Sequence, residues 1–208
     1  MVMVKVCGIK NIETALYAAE CGADALGFVF APSRRRVTPD EAREIVRRLP
    51  RSIWKVGVFV DEDPEVVSET ASYCGLDTLQ FHGSESPEYC RRFSLRVLKA
   101  LRVRGDRFFP DPDRYSTFAY VLDTYVEGMA GGTGRSFKWG LARRVDSGRR
   151  VIIAGGLSPE NVARALEEAN PYGVDVSSGV ETDGEKDCEK IRLFIEEVRR
   201  WENAGAAR

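Results

Sequence analysis

Short runs of apolar residues alternate along the chain with longer segments whose apolar positions repeat at helical spacing. The runs are nearly continuous and rich in Val, Ile and Phe, which is typical of strands buried on both faces of a parallel sheet. Eight runs occur, and that number favours a closed sheet. They cover residues 4–7, 25–30, 55–60, 78–81, 97–101, 119–122, 151–154 and 174–176.

Capping residues and prolines mark where the intervening helices begin. Thr38, Pro39 and Glu41 predict a capping box with proline at the first helical position. Asn11 is a predicted N-cap of the first helix, and Gly22 stands where that helix should end. The same pairing of a capping side chain with proline recurs at Asp63-Pro64, Ser86-Pro87 and Ser158-Pro159.

An alternation of strand and helix repeated eight times in 208 residues predicts a single (β/α)8 TIM barrel with eight parallel strands, an α/β fold formed by residues 1–208 as one domain. An open, doubly wound sheet is the alternative. Two connections fit the repeat less well. Residues 104–117 contain two prolines, which leave little room for a helix, and the glycine-rich residues 125–138 predict a functional loop.

Composition narrows the functional class. The 31 Lys and Arg residues nearly balance the 32 Asp and Glu residues, which argues against nucleic acid or a membrane as a partner. No apolar run is long enough to span a bilayer. The five cysteines form no C-x-x-C pair, which predicts reduced thiols and a cytoplasmic protein. With His82 as the one histidine, we expect no metal site.

In a (β/α)8 barrel the reactive groups lie where the strands end and in the loops just after them. Gly155-Gly156 follows the seventh run and Ser178-Gly179 follows the eighth. Glycines let backbone N–H groups approach an anion, and a helix start would favour negative charge there. These positions predict a phosphate site, over which the glycines of residues 131–134 could close.

Candidate catalytic side chains end the first and sixth runs. Cys7 is either a small buried hydrophobe or a reactive thiol. Asp123 indicates a functional role more strongly than Cys7 does, because burying a carboxylate without a role is costly. Burial also favours the protonated form that a general acid needs. His82 is either a rim histidine or a ligand contact. The arginines of residues 34–36 are either a solvated loop or a clamp for a carboxylate.

Four segments together resemble one enzyme family over nearly the whole chain, from Val4 to about Val198. They are KVCGIKN at residues 5–11, GADALGFVF at 22–30, QFHG at 80–83 and DVSSGVE at 175–181. The chain resembles the phosphoribosylanthranilate isomerases of tryptophan biosynthesis. The resemblance implies a (β/α)8 barrel that binds a small phosphosugar–anthranilate substrate as a monomer or homodimer. It also implies an Amadori rearrangement without cofactor or metal.

The resemblance also implies residue roles. Cys7 would be the general base and Asp123 the general acid. Arg36 would hold the anthranilate carboxylate, although Arg35 could share or replace that task because this loop carries three arginines where relatives often have one. The remaining roles would be substrate lining for His82 and Asp175 and phosphate contacts for Gly155, Gly156, Ser178 and Gly179.

Two rival functions remain open at this point. Another phosphosugar barrel enzyme would rely on a lysine or on paired aspartates at the strand ends, whereas here the first strand ends in Cys7. A catalytically silent binding barrel should have lost Cys7 or Asp123. As a base, Cys7 also needs a positive field near its thiol, which the sequence does not reveal.

Overall fold

The computed structural model describes residues 1–124, 138–145 and 148–206, and eight parallel strands dominate it. In chain order the strands are β1 (Met3–Cys7), β2 (Ala25–Val29), β3 (Trp54–Phe59), β4 (Thr78–Phe81), β5 (Arg96–Arg104), β6 (Arg107–Phe109), β7 (Ala119–Thr124), β8 (Val151–Ile153), β9 (Gly173–Val176), β10 (Glu181–Thr182) and β11 (Glu185–Lys186). Three of these, the short strands β6, β10 and β11, are additional to the eight parallel ones.

The eight parallel strands close into a ring. Their order around the sheet is β4, β3, β2, β1, β9, β8, β7 and β5, and parallel pairing of β5 with β4 completes the circle. Because an open sheet would leave two edge strands among these eight, the closing pair confirms the barrel and removes the doubly wound alternative. All eight carboxyl ends therefore meet at one face.

Helices surround the barrel, and most of their starts agree with the sequence. They are α1 (Ile12–Glu20), α2 (Pro39–Val46), α3 (Pro64–Cys74), α4 (Pro87–Cys90), α5 (Val162–Ala169) and α6 (Cys188–Ala206), with 3-10 turns at Pro112–Arg114, Trp139–Arg144 and Ser178–Val180. The Asn11 side chain accepts a hydrogen bond from the Thr14 N–H. Thr38 and Glu41 form the predicted capping box. Asp63 and Ser86 also cap as predicted.

One predicted cap is wrong. Ser158 does not begin a helix, because α5 starts only at Val162. The Ser158 N–H instead donates to the Asn161 carboxamide oxygen, and the Asn161 amide donates to the Gly156 carbonyl oxygen. These local bonds hold residues 156–161 in a turn. The segment after the seventh strand is therefore a glycine turn, and the helix dipole is not placed at Gly155-Gly156.

The structure describes one of the two connections that fit the repeat less well, residues 104–117, and hardly any of the other, residues 125–138. Residues 104–117 contain no α-helix, as the two prolines predict: β6 pairs antiparallel with β5, and a 3-10 turn follows at Pro112–Arg114. The predicted glycine-rich loop, with its glycines at 131–134, lies outside the described residues apart from its last residue. Across the described residues, none of the helices is both long and apolar enough to cross a membrane.

Two apolar layers support the barrel. One lies between the strands and the helices, where α6 contributes Ile191, Phe194 and Val198, all fully buried. The other fills the barrel interior near the amino ends of the strands and includes Leu98, Val121 and Ile152. Because side chains alternate along each strand, the next inward positions toward the carboxyl ends are free to carry polar groups above this apolar floor.

Candidate active site

A cavity of about 650 Å³ opens at the carboxyl-terminal face of the barrel. Its volume is in the range typical of small-molecule sites. Most of the predicted site residues line it together: Cys7, His82, Asp123, Gly155, Gly156, Asp175 and Ser178. Gly179 lies beside the cavity, and Arg36 does not line it, whereas Arg34 and Arg35 do.

Cys7 is buried at the end of β1, on the inner face of the barrel. Opposite it on β2 stands Gly27, where a Cβ atom would lie 2.7 Å from the Cys7 sulfur. A glycine is therefore needed at this position, because any side chain would displace the thiol. The small residue at the end of β2 makes the space that Cys7 occupies.

Two buried side chains below the thiol form an ion pair that sequence reasoning missed. Lys5 and Asp175 are register partners on β1 and β9, and the Lys5 Nζ lies 2.8 Å from the Asp175 Oδ2. Lys5 is fully buried, two positions before Cys7 on the same face of the strand. A lysine inside an otherwise apolar strand was the available signal, because such a charge is buried only when paired.

The charges around the thiol compete with its burial. Burial raises the pKa of Cys7, while the positive charges of Lys5 and Lys186 act to lower it. Burial also raises the pKa of Asp175, against the influence of Lys5. Two lysines, one on β1 and one on β11, therefore oppose the cost of burying a thiolate at Cys7, while burial keeps the pKa of the thiol above its ordinary value.

A chain of hydrogen bonds holds Asp123 at the end of β7. The Gln80 amide nitrogen lies 3.0 Å from the His82 Nδ1, and the His82 Nε2 lies 3.2 Å from the Asp123 Oδ2. Because an amide nitrogen is a donor only, Gln80 donates to Nδ1 and the Nε2–H of neutral His82 donates to Asp123. His82 is thus a partner of the candidate acid, and Gln80 selects its tautomer.

Two buried oxygen atoms near this chain have no hydrogen-bond partner within the described part of the protein. They are the Gln80 Oε1 and the Asp175 Oδ1. Buried acceptors are normally satisfied, and an unpaired one costs about 1–3 kcal/mol. Both residues line the cavity. The pair is therefore suited to accept hydrogen bonds from a polar ligand that enters it.

The turns after β8 and β9 hold the residues predicted to contact phosphate. Gly155 and Gly156 both have positive φ, of 74° and 70°, a conformation that favours glycine. Gly179 allows close packing of the second turn, since a Cβ there would lie 1.8 Å from the Leu157 carbonyl oxygen. Ser178 lines the cavity beside the glycines. Three of the four residues predicted to contact phosphate thus lie together in the cavity wall.

Glu181 forms ion pairs with two arginines of the loop after β2. Its carboxylate accepts hydrogen bonds from the Arg35 Nε at 2.6 Å and the Arg35 Nη2 at 2.9 Å. It also accepts one from the Arg34 Nη2 at 2.7 Å. Lys186 adds a third cation at 2.7 Å. Although burial acts in the opposite direction, these cations lower the pKa of Glu181 to about 2.

Arg36 differs from its two neighbours. Its side chain is exposed, and among the described residues it has no ion-pair or hydrogen-bond partner. Arg35, by contrast, is committed to Glu181 through a bidentate pair. Glu181 is a residue that sequence reasoning missed in this role, since it follows β9 and lies far from the arginines in sequence.

No group of three or more His, Cys, Asp or Glu side chains suited to a metal ion occurs within residues 1–124, 138–145 and 148–206. The titratable side chains that line the cavity are a thiol, two carboxylates, a histidine and two arginines. All five cysteines are free.

Comparisons with known proteins agree on one enzyme family. Residues 4–197 match the family model for N-(5'phosphoribosyl)anthranilate (PRA) isomerase. An N-(5'-phosphoribosyl)anthranilate isomerase from Desulforudis audaxviator is 54% identical over 201 residues, which is 96% of this chain and 98% of that protein.

Solved structures give the same result. Monomers of the dimeric isomerase from Thermotoga maritima match with a TM-score of 0.84 and 41% identity, over 96% of this chain and all of that one. A PRA isomerase in complex with reduced 1-(o-carboxyphenylamino)-1-deoxyribulose 5-phosphate matches with a TM-score of 0.83 and 40% identity, with the same coverage. The chain belongs to the N-(5'-phosphoribosyl)anthranilate isomerase family.

Proposed function

We propose that this barrel converts N-(5'-phosphoribosyl)anthranilate into 1-(o-carboxyphenylamino)-1-deoxyribulose 5-phosphate, the Amadori rearrangement of tryptophan biosynthesis. One observation carries the proposal: the Cys7 thiol and the Asp123 carboxylate line the same cavity from two different barrel strands. This isomerisation moves a proton on and off a sugar, so a positioned acid and base supply its chemistry. One barrel domain, residues 1–208, contains both groups.

In the first step Asp123 donates a proton to the furanose ring oxygen. The bond from this oxygen to C1′ breaks, and the anthranilate nitrogen lone pair forms the Schiff base. The hydrogen bond from His82 to the Asp123 Oδ2 orients the carboxyl group for this transfer. Gln80 keeps the histidine in the tautomer that can donate.

In the second step Cys7, as thiolate, removes the proton on C2′. The electron pair of that C–H bond forms the enolamine double bond, and the iminium nitrogen becomes a neutral amine. Tautomerisation of the enolamine then gives the ketone. Lys5 and Lys186 stabilise the thiolate form of Cys7 against the cost of its burial.

The substrate is held at both ends, which places C1′ and C2′ between the acid and the base. Gly155, Gly156 and Ser178 bind the phosphate, while Gly179 allows the second turn to approach the first. Arg36 does not line the cavity, but its guanidinium is exposed and uncommitted, and it receives the anthranilate carboxylate by turning toward the cavity that the preceding Arg34 and Arg35 line.

The middle of the substrate meets the unpaired buried acceptors. The Asp175 Oδ1 accepts a hydrogen bond from a ribose hydroxyl group, which satisfies an atom that has no partner among the described residues. Arg35 stays with Glu181 and holds the loop after β2 in place.

A fluorescence assay of the disappearance of phosphoribosylanthranilate, generated in situ, tests the acid and base. We expect Cys7→Ser and Asp123→Asn each to lower kcat by at least about 100-fold, the range of a lost proton-transfer group. Cys21→Ser and Asp183→Asn are matched controls outside the cavity and should retain activity. A near-normal rate in either active-site variant contradicts the role of that residue.

The two rival functions give different results in the same assay. A silent binding barrel would bind the substrate without turnover even as the wild-type protein. Another phosphosugar isomerase would turn over its own substrate and leave phosphoribosylanthranilate unchanged. Turnover by the wild type that depends on both Cys7 and Asp123 excludes both rivals.

We propose further that the protein acts in the cytoplasm, as a monomer or a homodimer. The five free cysteines support a reducing compartment. The Thermotoga maritima relative is described as dimeric, although its monomers were also obtained. Light scattering at several protein concentrations distinguishes the two assembly states.

A further inference from the structure

Two buried charged side chains bind the β4 loop, residues 82–86, from outside the active-site cavity. Lys99 on β5 is fully buried, and its Nζ lies 2.8 Å from the Glu85 Oε2. The Glu85 side chain is itself only 1% exposed. Leu98 and Ala100, the neighbours of Lys99 on β5, pack in the barrel interior. Because side chains alternate along a strand, Lys99 faces outward, and neither member of the ion pair lines the cavity.

Lys99 binds the backbone on both sides of His82. Its Nζ donates to the Phe81 carbonyl oxygen at 3.3 Å and to the Gly83 carbonyl oxygen at 2.8 Å. Phe81 and Lys99 are register partners on β4 and β5, which brings the ammonium group to the end of β4. With the bond to Glu85, the three ammonium hydrogens have three acceptors. One nitrogen atom therefore fixes the residue before His82 and the residue after it.

Glu85 binds the same loop through its carboxylate. Its Oε1 accepts a hydrogen bond from the Asp61 N–H at 2.9 Å, and the Gly83 N–H lies 3.1 Å from Oε1 and 3.0 Å from Oε2. The Glu85 carbonyl oxygen accepts a hydrogen bond from the Tyr115 hydroxyl. Gly83 also has no space for a side chain, since a Cβ there would lie 2.5 Å from the Asp61 Oδ1. Both backbone polar groups of Gly83 are thus bound to the ion pair.

His82 lies between these fixed positions. Its N–H donates to the Phe59 carbonyl oxygen, and its ring contacts Gln80 and Asp123 at the same time. The distance from the His82 Nε2 to the Asp123 Oδ2 is 3.2 Å, and a side-chain hydrogen bond is lost by about 3.6 Å. A small displacement of the loop would therefore break the bond between His82 and the candidate acid.

An ion pair is a costly way to fill a buried space. Apolar side chains can often replace a buried ion pair without loss of stability. Apolar side chains, however, cannot bind carbonyl and N–H groups in fixed directions. The backbone groups that the pair binds therefore explain its presence better than its contribution to stability does.

We propose that the Lys99–Glu85 ion pair is a positioning element of the isomerase site, which fixes the backbone on both sides of His82 so that the ring donates to Asp123. Because the pair lies outside the cavity, it acts through His82. Its effect on turnover rests on the isomerase function proposed above, whereas its effect on the histidine ring does not.

Nitrogen NMR of the imidazole tests the proposal without substrate. His82 is the one histidine in the chain, so protein labelled with 15N-histidine gives one pair of ring-nitrogen signals. At about pH 8, where histidine side chains are ordinarily neutral, we expect the wild type to be protonated at Nε2. Lys99→Leu with Glu85→Leu removes the pair without leaving a lone buried charge, and the signals should move toward a mixture of the two tautomers. A wild type not protonated at Nε2, or a folded double variant with wild-type signals, overturns the proposal.

Two further variants separate positioning from a general loss of stability. Lys55→Met removes another buried lysine, whose Nζ donates to the carbonyl oxygens of Pro50 and Arg51 at the amino end of β3. It should leave the ring signals unchanged, even where urea unfolding shows a similar loss of stability. Lys99→Arg keeps the charge opposite Glu85, but a planar guanidinium cannot replace one nitrogen that contacts three oxygens, so the signals should shift.

Lys99→Arg takes the place of the double variant if that protein does not fold. An equal shift of the ring signals in Lys55→Met would show a general effect of lost stability. That result, or failure of both Lys99 variants to fold, would make the pair a structural element and overturn the proposal.

Turnover gives a second measurement. The double variant should lower kcat by about tenfold or more, with KM changed by less than about twofold, because the pair orients the acid and does not contact substrate. In a His82→Ala background the same double change should lower kcat by less than about twofold, since the residue through which the pair acts is absent. An equal further loss in that background overturns the proposal. A wild type without isomerase activity overturns the proposed function, and the ring signals then decide the positioning role by themselves.

Discussion

Glu181→Gln removes the charge that joins the loop after β2 to the β10–β11 hairpin. The Glu181 side chain is only 5% exposed and contacts Arg34, Arg35 and Lys186. Its pKa falls from the ordinary 4.5 to about 2. At 1.36 kcal/mol per unit, this depression corresponds to about 3 kcal/mol of folding free energy. We expect the variant to be destabilised by about that amount at pH 7.

The sign of the pH dependence follows from the direction of the shift. Because the pKa of Glu181 is lower in the folded protein, its stabilisation is complete above pH 4.5 and is lost as the pH falls toward 2. The stability difference between the wild type and Glu181→Gln should therefore be constant from pH 7 to about pH 5. By pH 3 it should shrink to about half.

Urea unfolding followed by circular dichroism measures this difference at each pH. Glu185→Gln is the matched control on the same hairpin, because Glu185 is 65% exposed and pairs with Lys10 across the surface. Such surface pairs contribute about 0–1 kcal/mol. A stability difference that does not change between pH 7 and pH 3, or a Glu185→Gln effect equal to that of Glu181→Gln, would refute the reasoning.

Three further predictions concern the active site. Lys5→Met removes a positive charge near Cys7 and should move the acidic limb of the kcat/KM profile to higher pH; an unmoved limb shows that Lys5 does not stabilise the thiolate. Gly27→Ala places a Cβ 2.7 Å from the thiol sulfur and should lower kcat by about 100-fold with little change in KM, whereas a normal kcat shows that the thiol adapts. Gly179→Ala would bring a Cβ to 1.8 Å from the Leu157 carbonyl oxygen, so KM should rise and stability should fall by about 1–3 kcal/mol in urea unfolding; unchanged values show that the turn can yield.

The sequence by itself determined the repeat of strand and helix and most helix starts. These depend on contacts within a few residues: Asn11 and Thr38 cap the N–H groups three positions ahead. The same local logic failed at Ser158, where Asn161 competes for the turn. The strand ends also made Cys7 a candidate, which required only that parallel strands end at one face, and the resemblance to the family then proposed its role as base.

Only the tertiary structure decided what surrounds those side chains. Lys5 and Asp175 are 170 positions apart, and their pairing depends on the register of β1 against β9. Likewise, Glu181 engages Arg35 rather than Arg36, a choice that neighbouring arginines do not reveal in sequence. Electrostatic and steric effects act through space, between residues that only the closed barrel brings together. The sequence therefore proposes the candidate reacting groups, and barrel closure sets their electrostatic surroundings and their positions.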